Sequence, residues 1–568
     1  MNARDLNIPA VGRTLNSFAL RNGINPLTQA DFYKMSHRAQ YEPGTEEVYS
    51  NFTPRSARLA PVLEGFDDKV VWFGLQGFIK NFLVNVWNEN FFGRPKDDVV
   101  ALYKRRMDTA LGPNAIPVDH IEALWDLGYL PIEIKALPEG SRVNIRVPVL
   151  TIKNTLPEFF WLTNYLETVM SNELWKPATI ATIAYEYRKL LEEYAEKTGA
   201  PREFIDWQAH DFSCRGMSGY VDSMMSSAGH LLSFTGTDTI AAIDYLEDFY
   251  NANSENELIG GSVPATEHSV MCLSGEQNEL ETFRRLICDV YPSGIVSIVS
   301  DSWDFWRVIT EYARTLRQEI LGRTPNALGQ AKVVFRPDSG DPVKILTGYR
   351  YETFDTRNQV EYATWLTEET EAVYILSEKK YFELEGLSLD RDDCVTGGIL
   401  GKELSEAEVM GAVECLWGIF GGSQTEKGYK VLHERVGLIY GDSITLARAQ
   451  AIMARLAEKK FASCNVVFGV GSYSYQYLTR DSFGFAVKAT SGVVNGVRRA
   501  VAKDPKTDSG TKKSAVGLLR VEKEGDDFVL YDNQTVEQEQ QGALRTVFKN
   551  GDLLVDDSLS AIRARLRG

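Results

Sequence analysis

The chain runs to 568 residues, with 61 Lys plus Arg against 78 Asp plus Glu and a formal net charge of −17. With 44% apolar and 11% aromatic residues it can build one large core or several domains, which excludes a natively unfolded chain. The acidic balance argues against nucleic acid as a partner, so an anionic small ligand has to be held by a local cluster of Arg and Lys.

The opening MNARDLNIPAVGRTLNSF carries no apolar stretch of secretory length. Val70 to Trp87 is apolar but interrupted by Gln76, Lys80, Asn81 and Asn85, which predicts a half-buried amphipathic helix rather than a membrane span. Apolar residues then recur at helical spacing in Phe159 to Met170 and in Ile180 to Tyr194, with Trp175, Lys176 and Pro177 expected to break two helices apart. From there β-rich runs each end in a loop of Gly, Ser, Thr or Asp: LLSFTGTD (231–238), GIVSIVSDS (294–302), KVVFRPDSG (332–340), VGLIYGDS (436–443) and NVVFGVGS (465–472). Most lead into a helical stretch, so the repetition predicts a parallel α/β architecture with its ligand at the carboxyl ends of the strands. Residues 345–427, rich in Asp and Glu around a few aromatics, break the rhythm and read as an insertion. Beyond Phe485 strands return, and Asn550-Gly551 predicts the type I′ turn of a hairpin. The six cysteines form no CxxC pair, which fits reduced thiols and a cytoplasmic location.

Chemistry is expected at the strand ends. His268, beside Glu267 in SVPATEHSV, has a carboxylate at hand to orient or charge its imidazole. Arg336 and Asp338 of RPDSG suit a phosphate or amide and ribose hydroxyls respectively, although the same pair could cap the next helix. Gly471 and Ser472 of GVGS, with Gly441 and Asp442 of GDS one strand earlier, match the phosphate position of a barrel; each alone would be an ordinary βα turn. HDFSCRG offers Phe212 and Arg215, and FTGTDT offers Asp238, residue types that elsewhere serve as core aromatic and N-cap. Arg215, Arg336, Arg480 and Lys488 could supply the local positive charge. There is no HExxH and no Walker A, and no protein metal site is expected. The residues themselves point to an α/β enzyme for a phosphorylated, ribose-like substrate.

HDFSCRG, FTGTDT, SVPATEHS, VSDSWD, RPDSG, GDS and FGVGS with LTRD occur in an order that resembles the nicotinamide phosphoribosyltransferase family. NPLTQADFYKMSHRAQYEPGTEEVYSNF near the start and LRTVFKNG near the end agree. The resemblance implies an irregular parallel α/β barrel (176–484, with the acidic insertion at about 345–405) packed on a mixed α+β sheet domain formed by both chain ends (1–175 and 485–568). It implies transfer of phosphoribose from phosphoribosyl pyrophosphate to nicotinamide, giving nicotinamide mononucleotide and pyrophosphate in NAD salvage. Mg²⁺ would be carried mainly by pyrophosphate and ATP. His268 resembles a histidine phosphorylated by ATP as coupled co-substrate, and Phe212 and Tyr33 the two aromatics around the nicotinamide ring. Asp238 resembles the carboxylate facing the amide, and Asp301, Arg336, Asp338, Gly441 and Asp442 the ring and ribose surroundings. Arg215, Gly471 and Ser472 resemble phosphate-side groups. Tyr33, Arg55, Arg480 and Lys488 resemble residues reaching across a homodimer with shared sites. This chain departs from the family at Ser213 and Cys214, where a Gly and an aromatic are usual, and in the length of its 345–405 stretch.

Two other readings compete. Nicotinate phosphoribosyltransferase is disfavoured because Asp238 would face the substrate's own carboxylate. A non-catalytic phosphohistidine or nucleotide sensor would need His268 but neither a ring sandwich nor a ribose site.

Overall fold

The computed structural model describes residues 24–502 and 515–568, so the opening MNARDLNIPAVGRTLNSF lies outside the described residues. One sheet is antiparallel throughout, its seven strands running in the order Val497–Ala500, Ala486–Val494, Thr45–Thr53, Leu150–Asn154, Ile132–Ala136, Arg545–Lys549 and Asp552–Leu553. It interleaves strands from both ends of the chain, as expected. At its edge Asn550 and Gly551 have φ of 52° and 93°, the two positive values a type I′ turn requires.

The second sheet is parallel. Its strands are β1 (Ala209–Asp211), β2 (Gly236–Thr237), β3 (Val296–Val299), β4 (Val333–Arg336), β5 (Val436–Tyr440) and β6 (Val466–Val470), in the spatial order β2-β1-β6-β5-β4-β3. The ring is completed by an irregular seam, because residues 261–266 bridge β2 through Gly236–Gly261 and β3 through Ala265–Ser297. The Thr237 N–H donates to the Gly261 carbonyl and the Thr266 N–H to the Ser297 carbonyl, both at 3.0 Å. The parallel α/β expectation therefore holds, and the seam explains its irregularity.

Four local expectations are corrected. Trp175-Lys176-Pro177 does not break a helix, since a single helix spans Glu167–Thr198 with Pro177 inside it. A mid-helix proline costs about 3 kcal/mol in isolation, but here Leu174, Pro177, Ala178, Ile180 and Ala181 are buried. Close packing holds the turn in place: a Cβ at Gly229 would lie 2.9 Å from the Pro177 carbonyl oxygen and one at Gly74 2.9 Å from Pro177 Cβ. Val70 to Trp87 is not one helix, because Lys69–Val71 pairs as a strand with Arg142–Asn144 and the helix starts at Leu75, after Gly74 turns at φ 111°. Its Gln76 is buried rather than solvated and donates to the Phe249 and Asp557 carbonyls at 2.7 and 2.9 Å. No helix among the described residues is long and apolar enough to cross a membrane.

The apolar LLSF of residues 231–234 is buried turn after the helix Tyr220–His230, leaving only Gly236–Thr237 as strand. Finally, the insertion ends earlier than 427. Residues 351–404 form their own four-stranded sheet around Phe354, Val360, Leu366, Val373 and Phe382, whereas the helix Ala412–Phe420 buries Val413, Leu416 and Phe420 in the main core.

Candidate active site

The carboxyl ends of the parallel strands meet in one mouth. Leaving β1, Phe212 donates its N–H to the Val470 carbonyl at 2.9 Å, and its ring centroid lies 4.8 Å from that of His210. The glycines of β6 and of the loop after β5 make room for it: a Cβ at Gly469 would sit 2.4 Å from Phe212 Cδ2 and 2.9 Å from Gly441 Cα. Beneath it the buried Asp211 accepts from the Ser213, Thr237 and Thr239 hydroxyls and from the Ser213 N–H, tying the segments that leave β1 and β2 to one carboxylate.

Beside the ring stands Asp238. Its Oδ1 accepts from Ser262 Oγ at 2.6 Å and lies 2.9 Å from His210 Nε2. Burial pushes this carboxyl up, but the His210 and Ser262 hydrogen bonds and the Arg336 charge outweigh it and hold Asp238 below the usual carboxylate range. His210 is itself fixed by the absence of a side chain at Gly236, where a Cβ would meet its Nδ1 at 2.7 Å.

Across the mouth, Asp301 accepts from the Asp338 N–H at 2.9 Å and from Ser339 Oγ at 2.6 Å through Oδ2, while its Oδ1 is buried without a hydrogen bond. Arg336 donates through Nη2 to the Thr266 carbonyl at 2.6 Å and stands 4.0 Å from Asp338, and its Nε is likewise buried and unpaired. Two orphaned polar groups of opposite sign in one cleft are what a ligand would satisfy. Gly441 closes the wall, since a Cβ there would approach Asp338 Oδ1 to 2.5 Å. Tyr440, whose hydroxyl donates to the Gly340 carbonyl at 2.8 Å, shows how negative this floor is. Burial first, and then the charges of Asp442, Asp301, Asp341 and Asp338, push its pKa up.

His268 opens a short helix, His268–Cys272, at the end of the seam. Its half-exposed ring has Nδ1 3.3 Å from Ser302 Oγ and Nε2 3.9 Å from Asp301 Oδ1. The carboxylate nearest its ring is thus Asp301, whereas the neighbouring Glu267 accepts from Ser269 instead, because its backbone caps the helix and turns the side chain away. Arg215 is exposed and makes no ion pair among the described residues, and Gly216 packs over Ser472, where its missing Cβ would stand 2.6 Å from Ser472 Cβ. Gly471 lies beside them, its missing Cβ 4.0 Å from the Phe212 carbonyl oxygen.

The remaining candidates gather elsewhere. Tyr33, 59% exposed, lies under Lys34 Nζ at 5.2 Å from the ring centroid; Lys34 pairs with Glu167, and Lys488 stands 3.9 Å from the same carboxylate. Burial, and then the charge of Arg480, lower the pKa of Arg55. Burial also lowers that of Lys488, helped by Arg55, Lys34 and Arg480 and opposed by Glu167. These cations therefore feel one another. Among the described residues no hydrogen bond, ion pair or ring contact joins them to the barrel mouth within one chain. Reading the sequence missed His210, Ser262, Ser302 and Asp211 as organising groups, although each lies in or beside a motif already singled out.

The nicotinate phosphoribosyltransferase (NAPRTase) family profile matches residues 207–552, and that of the nicotinamide phosphoribosyltransferase N-terminal domain matches residues 25–134. A nicotinamide phosphoribosyltransferase of Acinetobacter baylyi is 60% identical over 543 residues, covering 96% of this chain and 97% of that protein. Proteins of the same name from Mycoplasma pneumoniae and Xanthomonas campestris are 31% and 30% identical, covering 87% and 95% of this chain and 95% and 97% of their own lengths.

Proposed function

The chain belongs to the nicotinate phosphoribosyltransferase family, and within it to the nicotinamide phosphoribosyltransferases; from that premise we propose that it transfers phosphoribose to nicotinamide with ATP hydrolysis coupled through His268. The observation that carries the choice of base is Asp238. Its Oδ1 is occupied by Ser262 and His210, which leaves Oδ2 to accept an amide N–H next to the Phe212 ring. A nicotinate carboxylate at the same place meets an ionised Asp238 and is repelled.

In the reaction the ring nitrogen of nicotinamide uses its lone pair to form a bond to ribose C1. The C1–oxygen bond breaks and its electron pair leaves on pyrophosphate, which travels as its Mg²⁺ complex. No proton moves at the nucleophile, so no general base is needed. Asp301, Asp338 and Asp442 stabilise positive charge developing on the ribose, while Arg215 and the Gly471–Ser472 turn hold phosphate. Phe212 aligns the ring nitrogen. In the coupled step an imidazole nitrogen of His268 attacks the γ-phosphorus of ATP and ADP departs, with Asp301 and Ser302 orienting the ring.

A second copy of the chain supplies the facing aromatic and cations. Tyr33 and the cations Arg55, Arg480 and Lys488 have, among the described residues, no hydrogen bond, ion pair or ring contact with the mouth of their own barrel, and two-fold pairing brings such a group to the other subunit's site. A cytoplasmic location fits six cysteines without a disulfide among them.

Pyrophosphate release assayed with nicotinamide, with nicotinate and with neither base tests the reading. Release with nicotinamide alone is expected. Preference for nicotinate would replace it with the sister activity, and no release with either base would leave a sensor.

A further inference from the structure

Among the buried groups that the reaction above leaves unused is an ammonium, that of Lys176. It sits within the helix Glu167–Thr198 with its side chain 10% exposed, and a lysine is kept so far from water only where partners satisfy it. Its Nζ donates to Asp222 Oδ2 at 2.6 Å and to Gln476 Oε1 at 2.5 Å.

Those two partners belong to the two segments assigned to phosphate. Gln476 follows directly on the turn Ser472–Tyr475 and donates its N–H to the Ser472 carbonyl at 2.7 Å. The turn is anchored independently, by Ser474 Oγ on the Ile444 carbonyl at 2.9 Å and by the Tyr475 hydroxyl 2.7 Å from His230 Nδ1. Asp222 lies in the first turn of the helix Tyr220–His230. Its Oδ2 also accepts from the Ser218 N–H at 2.8 Å, and its Oδ1 accepts from Ser226 Oγ at 3.0 Å.

Hydrogen-bond chemistry orients the middle of this chain of contacts. An ammonium has donors and no acceptor, so Gln476 has to turn its carbonyl oxygen to Lys176. Its amide group then faces Ser218, and Nε2 donates to Ser218 Oγ at 2.5 Å. Ser218 is thus held twice, through its backbone by Asp222 and through its side chain by Gln476, and both holds lead to Lys176. Cys214 to Gly216 and Ser218 to Tyr220 are exposed, and the Arg215 side chain has no hydrogen bond or ion pair among the described residues that would fix it.

We propose that Lys176 is a positioning residue for phosphoribosyl pyrophosphate, clamping the exposed segment that bears Arg215 to the turn that begins at Gly471. A phosphate ligand on a loose loop has to be ordered as substrate binds, at a cost in affinity that the clamp removes beforehand. Nicotinamide, placed at Phe212 and Asp238, lies outside the clamp. The inference rests on the proposed phosphate roles of Arg215 and the Gly471–Ser472 turn.

The test combines steady-state kinetics with hydrogen exchange on the full chain. Lys176→Met removes the charge and keeps most of the stem. Ser218→Ala, at an exposed position, removes only the hydroxyl and serves if the first variant does not fold. The KM for phosphoribosyl pyrophosphate should rise about tenfold in Lys176→Met and about threefold in Ser218→Ala, with kcat and the KM for nicotinamide within about twofold of the parent. Amide exchange across residues 214–221 should quicken in both variants, more than elsewhere in the barrel. In an Arg215→Ala background, which lacks the group being positioned, Lys176→Met should raise that KM no further. A rise of equal size in both backgrounds would overturn the proposal, as would a fall in kcat or in melting temperature at unchanged KM, the mark of a purely structural lysine. Unchanged exchange across residues 214–221 would mean that no clamp exists. If exchange quickens but Arg215→Ala itself keeps the parent's KM, the clamp stands and the assignment of Arg215 to phosphate, within the proposed function, is what fails.

Discussion

Replacing Asp238 by Ser tests the base selection directly. The parent carboxylate offers Oδ2 to the substrate while Ser262 and His210 hold Oδ1 at 2.6 and 2.9 Å. A hydrogen bond to a charged group contributes about 1.5–3 kcal/mol. The Asp238 side chain is 48% exposed, so solvent places the loss at the low end, about 1.5 kcal/mol, or roughly tenfold in kcat/KM for nicotinamide. Nicotinate gains from the same change. Two like charges at about 4 Å repel by ~1 kcal/mol in water and ~4 kcal/mol at a protein surface, so relief of about 1.5–2 kcal/mol raises its kcat/KM by about tenfold or more. The ratio between the two bases should therefore fall by on the order of 10²-fold. Pyrophosphate release measured across both base concentrations gives the two kcat/KM values. An unchanged ratio in a variant that folds normally would refute the assignment of Asp238 to the amide.

Gly469→Ala should cost on the order of 10²-fold in kcat/KM for nicotinamide, because the new methyl collides with Phe212 on one side and with unyielding Gly441 backbone on the other. Stability unchanged and activity unchanged together would mean that the Phe212 ring does not position the substrate. His268→Ala should abolish acid-labile labelling of the protein by γ-labelled ATP while a slow, uncoupled transfer persists, and label retained in the variant would move the phosphate to another residue. Stability should also fall in acid through His120. Burial above all, then the Arg38 charge against the opposing Asp119, lowers its pKa to about 4 in the folded chain. The unfolded chain, with a pKa near 6.5, binds the extra proton as pH drops, so about 3 kcal/mol is lost between pH 6.5 and 4. His120→Phe should flatten the thermal-melting curve over that window, and a slope equal to the parent's would show that His120 is not the group responsible.

Local pattern was enough to reveal the parallel strand-loop rhythm, the polar loops that carry Phe212, Asp238, Arg336, Asp338 and Gly441, and the Asn550-Gly551 hairpin. Each of these depends on periodicity or on turn chemistry within a few residues, which is written along the chain. Tertiary structure alone decided the rest. Pro177 stays helical because Gly229 and Gly74 let neighbouring backbone close around it, a contact spanning about 50 residues on one side and about 100 on the other. Residues 261–266 carry no strand pattern, yet they close the barrel and so bring Ser262 to Asp238 and His268 to Asp301. Glu267 was the nearest carboxylate to His268 in sequence, and Asp301 is the nearest in space, because a side chain's partner is set by which strands are neighbours and not by which residues are.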